Sequence, residues 1–572
     1  MIIDYRNGPT PTDLDTQLCI IGAGAAGIAI AQAFVGTSID VCIVESGGRA
    51  GAHDIQALYH GESVGTPHFN PGMSRMRVFG GSCNLWGGGC IPLSEMDMSH
   101  RDWVPHSGWP LSYAELVPYY ERAQSFCQIE SHAFEEGSFL TPPSRTPHSF
   151  DDTTLINRIF ARSPVLFGEA YEAELAKAPN IKLLLHANLL ELESVPSGMS
   201  IHSARIGSLD GRRGTIRAQH FVLACGAIEN ARLLLLSNSV ARNGLGNDRD
   251  LVGRFFMDHP AGKLGTLYAQ NHEHVTRPYD RNGGKGPAPV FPELCLSDES
   301  QRAHRLLNAR VRPVPVEGPV PDGLHALRKL RAALRPPVQD EGSVVEKQIT
   351  DALKIGAWRN KNAVPETPES IGKLALKLGL SVGDIAQAAW RKWAGKPVTE
   401  SSHVDLVGYF EQAPNPNSRV TLSDVHDALG QRKVRVDWQL TSLDQRTYRT
   451  AAMLFNTRIA AACQGRYEPE PWLLEGDRAV PGVRTTAHHL GTTRMADDPH
   501  QGVVDRHCRV HGIANLHIAG GSVFPTGGWA FPTFTIVALS LRLAEQLRVL
   551  LDKAEQSVRT TSQHGNVAHN AE

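Results

Sequence analysis

The stretch Leu18-Cys19-Ile20-Ile21-Gly22-Ala23-Gly24-Ala25-Ala26-Gly27 narrows what the front of this chain can fold into more than any other. The continuous apolar run Leu18–Ile21 reads as a parallel strand buried on both faces, and the alanine-rich segment Ile28–Phe34 reads as a helix. A second apolar run, Val41-Cys42-Ile43-Val44, ends at Glu45 and Ser46. Strand, glycine turn, helix and strand within about 30 residues make a βαβ unit. In such a unit Gly22 permits the tight turn, Gly24 lets backbone N–H groups approach a diphosphate, and Gly27 allows close helix–strand packing. Ala25 and Ala26 complete the glycine loop, and the helix N-terminus beyond it faces the anion. Glu45, 18 residues after Gly27, is placed to accept hydrogen bonds from ribose hydroxyls. FAD and NAD present the same ADP half to such a unit, so the pattern alone does not separate them.

Phe221-Val222-Leu223-Ala224 is another buried-strand pattern, leading through Cys225 and Gly226 to a helix over Asn230–Leu236. Between Asn417 and Leu440 the apolar period changes to two: Val420 and Leu422 precede a polar turn at Gly430, and Val434, Val436, Trp438 and Leu440 follow it. That predicts an antiparallel hairpin of a different domain from the parallel sheet. Asn415, Asn417 and Arg419 read first as the turn before this hairpin, with substrate contact the minority reading.

A chain of 572 residues, 41% hydrophobic and 20% charged, supports two closely joined domains. With 57 Lys and Arg against 59 Asp and Glu, no overall field favours nucleic acid or anionic lipid. The nine cysteines show no C-x-x-C spacing, which argues against a disulfide framework and against a metal site. The start of the chain shows no secretory pattern, and Leu18–Val35 fits strand–turn–helix better than a membrane span, so the expected location is cytoplasmic. Residues 323–396 carry 13 Lys or Arg against 7 Asp or Glu, with helical patterns over His325–Leu334, Val345–Trp358 and Ile371–Trp393. Membrane contact through Trp358, Trp390 and Trp393 beside these cations is weighed here against a helical elaboration of the substrate domain, and the elaboration is favoured.

Further glycine-rich segments extend the pattern. Arg75–Gly89 holds the pairs Gly80-Gly81 and Gly87-Gly88 around Ser82-Cys83-Asn84-Leu85-Trp86, where backbone could lie against a planar ring. This loop resembles the first signature of the glucose-methanol-choline (GMC) family of FAD oxidoreductases, in its bacterial branch near the pyranose oxidases. Cys225–Leu234, Gly253–Pro260, His488–Met495, Val503–Asp505 and Ala519–Thr526 resemble further family segments, in the same order. The resemblance implies an α/β fold: an FAD-binding, Rossmann-like parallel sheet joined to a second α+β substrate domain with a largely antiparallel sheet. The expected division is 1–100, 180–262 and 485–553 for the discontinuous FAD domain. Residues 101–179 and 263–484 then form the substrate domain, with the insertion at about 323–396, and 554–572 a disordered tail.

By the same resemblance FAD lies on the Gly22–Gly27 loop, Glu45 and Ser46. A segment like His186–Leu189 touches the adenine through backbone, Leu189 among the cofactor-binding residues, Gly520 to Ser522, with Gly521 between, approach the ribityl chain and ring, and Ala224, Cys225 and Gly226 are further cofactor-binding residues. Pro532 and Thr533 join the ring end. Family members that attach FAD covalently do so through a histidine where this chain has Leu85, so the cofactor is expected to be non-covalent. His488, three residues before Gly491, matches the family's catalytic histidine; His489 is expected to point elsewhere on an extended backbone. The family's usual Asn or His partner is replaced by Phe531, which can neither donate nor accept a hydrogen bond. Phe531 with Trp529 and Phe534 would then wall the pocket with aromatic rings.

The implied activity is oxidation of a CH–OH group of an alcohol, sugar or natural-product intermediate, with His488 as base and hydride passing to the flavin. The partner is a small molecule and the electron acceptor stays open. Phe531 keeps two other readings alive: an FAD-dependent lyase or other altered chemistry, and a non-catalytic FAD-binding protein.

Overall fold

The computed structural model describes the chain apart from residues 7–12, 67–69, 131–133, 135–149, 151–152, 271, 280–288, 335–340, 354–369, 394–400, 476–481 and 569–572. Trp358 therefore lies outside the described residues. The fold is α/β, with a largely parallel sheet and a separate antiparallel one.

Asp13–Ile21 sits at the centre of the first sheet, flanked in parallel by Val41–Val44 and Arg213–Leu223. Ile181–Leu185 and then Ile2–Asp4 continue it on one side, both parallel. On the other side Ile201–Gly207 and Asn188–Ser194 add antiparallel strands, and Leu516–Ile518 pairs in parallel with the end of Arg213–Leu223. The central strand starts five residues before the apolar run. Only Leu18–Ile21 is buried on both faces, while the Asp13–Gln17 half is partly exposed, so the hydrophobic pattern sees only the inner half. Helix Ala25–Gln32 is buried over seven of its eight residues between this sheet and the long helix Pro532–Ala568.

The second sheet is antiparallel throughout. Its order runs Arg466–Pro469, Ala261–Tyr268, Ser401–Phe410, Ala309–Glu317, Val290–Leu296, Leu155–Arg162, Gly89–Cys90. Helix Ser442–Ala462 lies across it and buries Tyr448, Ala451, Ala452, Phe455 and Ile459 in a core of its own. Gly89-Cys90 belongs to this sheet, so the chain crosses out of the dinucleotide domain about ten residues before position 100.

Two expectations are corrected, the place of the hairpin and the tail. The hairpin, Arg419–His426 with Arg432–Gln439, forms as expected but outside the large antiparallel sheet. It pairs with Glu62–Thr66 in a small third sheet, and Val420, Val434, Val436 and Trp438 fill the core of the dinucleotide domain. An amphipathic hairpin needs an apolar surface to cover, and the nearest one is that of the other domain. Asn415 and Arg419 serve the turn: Asn415 donates to the Gln439 carbonyl and Arg419 pairs with Asp250 at 2.8 Å. The polar stretch from 554 continues the last helix as far as Ala568, since extending a formed helix costs far less than nucleating one.

The insertion forms helices Asp322–Ala333, Glu341–Leu353, Ile371–Leu380 and Val382–Trp393. Val345 and Ile349 pack onto Met76 and Val78, backing the loop that precedes Gly80. Among the described residues no helix is long and apolar enough to cross a membrane, and no cluster of His, Cys, Asp and Glu could hold a metal. The nine cysteines are free.

Candidate active site

One cavity of about 420 Å³ runs from the glycine turn to the paired histidines. At one end Gly22, Gly24, Ala25, Ala26, Glu45, Ser46 and Leu189 line it; Gly81, Ser82, Leu85, Trp86 and Gly87 form the middle. Ala224, Cys225, Gly226, Gly520, Gly521, His488, Phe531, Pro532 and Thr533 also line it, Ala224 and Cys225 directly beside Gly22. Gly27, Gly80, Asn84 and Gly88 act behind the wall. A Cβ on Gly27 would fall 1.9 Å from the Gly22 carbonyl oxygen, and one on Gly88 2.3 Å from that of Ser163. Asn84 donates to the Phe79 carbonyl and braces Gly80, which pairs with Gly24.

Glu45 reaches the cavity, yet both its oxygens serve the turn: one accepts from Ala23 N at 2.9 Å, the other from Gly47 N at 2.7 Å. Each oxygen keeps a lone pair for a ribose hydroxyl. Burial raises its pKa against these hydrogen bonds. Beside it lies a charged cluster that the sequence reading missed. Arg75 and Arg77 stack on the Tyr59 ring, at 3.8 and 4.2 Å from its centre. Glu229 accepts from Arg77 at 2.8 Å and from Arg232 at 2.8 Å, with Arg75 at 3.4 Å, and Arg232 reaches on to Asp427 at 2.6 Å. Burial alone would raise the Glu229 pKa, but Arg77, Arg232 and Arg75 together hold it at about 2. With Glu45 beside them, three guanidinium groups face three carboxylates in this wall.

The loop carrying His488 is clamped by one buried carboxylate. Asp258 Oδ1 accepts from His488 N at 2.9 Å and His259 N at 2.6 Å, and the Thr485 and Thr486 hydroxyls also donate to this carboxylate. Burial pushes Asp258 up to about 6. Ala487 has a φ of 60°, so the backbone is not extended here. His489 consequently does not turn away from the cavity as expected: it lines the wall, with its ring 5.6 Å from Phe256 and Nε2 4.0 Å from Asp258.

His259, 229 residues earlier in the chain, places Nδ1 3.0 Å from Nδ1 of His488, the rings nearly perpendicular at 86°. Its Nε2 is buried beside Gly527 with no hydrogen-bond partner among the described residues, and one of the two ring tautomers puts the proton there. With that proton on Nε2, His259 Nδ1 accepts, His488 Nδ1–H donates, and His488 Nε2 is left with a free lone pair on the other side of its ring. Burial, then His259, then Arg310 lower the His488 pKa well below the usual histidine range.

Phe531 turns its ring to His488, with centres 6.2 Å apart, and packs on Phe160 at 5.3 Å and flat against Gly89. Arg310, paired with Glu293 at 2.8 Å, lies 4.9 Å from the same ring. The aromatic wall is thus Phe531, Phe160 and Trp86. Phe534 stacks on Tyr120 in the core because Pro532 starts a helix that turns its side chain away from that of Phe531, and Trp529, before that helix, sits near Arg310.

Residues 414–540 match the profile of the GMC oxidoreductase family. The chain is similar to that family over this C-terminal part. Across almost its whole length it is similar to 6'''-hydroxyparomomycin C oxidase of Streptomyces lividus, 24% identical over 95% of this chain and 93% of the relative. The fructose dehydrogenase large subunit of Gluconobacter japonicus is 23% identical over 93% and 98%. Pyridoxine 4-oxidase from Mesorbium loti superposes with a TM-score of 0.54 at 16% identity, covering 93% of this chain and 99% of that one. GMC oxidoreductases are FAD-binding flavoproteins, and the cavity of this chain fits that cofactor. The clearest sign is steric. Gly226 and Gly520 line the wall, and a Cβ on either would meet no protein atom within 4 Å, so space beside their backbones is kept open.

Proposed function

We propose that this chain oxidises a secondary or primary CH–OH group of a hydroxylated ring compound, sugar-like in character, with His488 as the base and FAD held non-covalently. The observation that carries this reading is the His259–His488 contact: it leaves a neutral imidazole nitrogen free beside a cavity continuous with the dinucleotide site. FAD bound there supplies the acceptor for the hydride that leaves the carbinol carbon. His488 Nε2 takes the hydroxyl proton, so the substrate loses one proton and one hydride and becomes a carbonyl compound. Asp258 and His259 hold the base in orientation, and burial keeps it unprotonated. Phe531, Phe160 and Trp86 offer flat apolar surfaces against which the C–H face of a sugar ring stacks. The names of the two relatives above, both oxidising or dehydrogenating sugar-type compounds, agree with that class.

The test is anaerobic bleaching of the bound flavin by a panel of sugars, aminosugars and simple alcohols. Bleaching by at least one ring polyol is expected. Bleaching by none, together with turnover of some larger metabolite, would instead favour altered chemistry, the second reading that Phe531 motivates.

Two further results are expected. Leu85 lines the cavity where a covalent link would need a histidine, so acid precipitation should leave the yellow chromophore in the supernatant; a coloured pellet would contradict the non-covalent assignment. In Phe531→Asn the stacking surface is lost, and KM for the best ring substrate should rise roughly 2- to 10-fold with kcat little changed. A tenfold gain in kcat would mean instead that Phe531 merely withholds a hydrogen-bonding partner from the base.

A further inference from the structure

Phe531 stands in a recess built for a ring. A Cβ on Gly89 would fall 2.7 Å from Phe531 Cδ2, so the ring lies where only a glycine leaves room. Phe160 packs on it at 5.3 Å, and the His488 ring stands nearly perpendicular to it at 86°. A further neighbour carries a charge. The Arg310 guanidinium lies 4.9 Å from the centre of the Phe531 ring, within the range of a cation–π contact. Phe531 lines the cavity and Arg310 does not, so what Arg310 does for the cavity passes through its neighbours.

The antiparallel sheet sets that charge in place. Arg310, on strand Ala309–Glu317, pairs with Tyr409 on one side and with Cys295 on the other, and directly opposite residues share a face of the sheet. Glu293, two residues before Cys295, falls on the same face because side chains alternate along a strand. Arg310 donates to Glu293 at 2.8 Å, both side chains being 3% exposed. Its guanidinium lies 3.7 Å from the centre of the Tyr409 ring and 5.5 Å from that of Trp529. A buried ion pair adds little net stability over apolar residues of similar volume, so the worth of this one lies in where it holds the guanidinium. Glu293 and Tyr409 fix that group to the sheet, and Phe531, just before the last helix, meets it there.

We propose that Arg310 is a positioning residue of the oxidation site: anchored by Glu293 and Tyr409, its guanidinium holds the Phe531 ring in the orientation that the ring presents to the cavity beside His488. The side chain that stands where a hydrogen-bonding partner is usual is then a fixed wall of the site. The kinetic consequence of this clamp rests on the reading of Phe531 as a stacking surface for the substrate; the clamp itself does not.

Burial and then the Arg310 charge lower the His259 pKa, so the test keeps the charge: Arg310→Lys retains a cation for Glu293 and loses the planar contact. With para-fluorophenylalanine in place of Phe531, the full chain loaded with flavin should give a single sharp fluorine NMR resonance, which Arg310→Lys shifts or broadens. Tyr409→Leu, which removes the other side of the clamp, should do the same and serves where Arg310→Lys fails to fold. KM for the best ring substrate should rise roughly 2- to 10-fold in Arg310→Lys with kcat little changed. Adding Arg310→Lys to Phe531→Asn should raise KM no further, because a residue that acts through another gives non-additive effects. A fluorine resonance that neither variant moves overturns the proposal. So do KM factors that multiply in the double variant, which would mean that Arg310 meets the substrate by itself. If Phe531→Asn leaves KM unchanged, the stacking reading falls, and the fluorine resonance still decides whether Arg310 holds the ring.

Discussion

His488→Ala should bind flavin normally yet lose about 10²- to 10⁴-fold in the rate of anaerobic flavin bleaching, the range expected when a positioned base is removed. The pH profile carries the sign of the argument. In the proposed role His488 works when unprotonated, and burial with the neighbouring His259 and Arg310 holds its pKa well below the ordinary histidine value. Turnover should therefore be level through neutral pH and fall only on the acid side. Asp258, raised to about 6 by burial, sharpens that fall. As pH drops through this value the carboxylate gains a proton and becomes a weaker acceptor for His488 N, loosening the loop on which the base sits. Stopped-flow reduction of wild type and variant across pH 5 to 9 (roughly the range around the histidine pKa) measures both effects. Equal reduction rates in the two proteins would remove His488 from the role of base, whatever the substrate.

Much of the cofactor end was legible because its signals are local. Gly22, Gly24, Gly27 and Glu45 sit within one βαβ unit, and strand, turn and helix each leave a mark in consecutive residues. The glycine pairs at 80–81 and 87–88 likewise declare a backbone that must lie close to something. What stayed hidden depends on distant residues meeting. Nothing in the order of residues says that His259 will face His488, or that Tyr59 will lie under Arg75 and Arg77 while Glu229 gathers those arginines with Arg232. The i, i+3 spacing of Glu229 and Arg232 falls on the observed helix Ala227–Leu236, but the helix read from sequence began at Asn230 and left Glu229 out. His489 was misjudged through one dihedral angle, since a left-handed alanine before the pair breaks the alternation an extended chain would give. The hairpin around Gly430 was correct in itself but lodged with the wrong neighbour, because a period of two reports that one face is buried without reporting against what.

The same distinction between local and distant packing predicts how two glycines of one turn should differ. Gly24 has φ −84°, which any residue can adopt, and a Cβ there would find only the Gly81 Cα, at 3.9 Å. Gly24→Val should therefore fold with a thermal midpoint close to wild type. Its side chain would stand in the space kept for the diphosphate, and an overpacking cost of about 1 to 3 kcal/mol weakens FAD binding roughly 10- to 100-fold. Gly27 has no such room: its Cβ would lie 1.9 Å from the Gly22 carbonyl oxygen, a backbone atom of the turn itself. Gly27→Ala should lose flavin and melt earlier as well, because helix Ala25–Gln32 cannot approach the central strand without moving that turn. Flavin absorbance ratios, FAD titration of the apoprotein and thermal melts separate the two cases. A Gly24→Val protein that retains full flavin would show that the diphosphate does not lie on this turn, whereas colourless protein with an intact fold would place it there through steric exclusion alone.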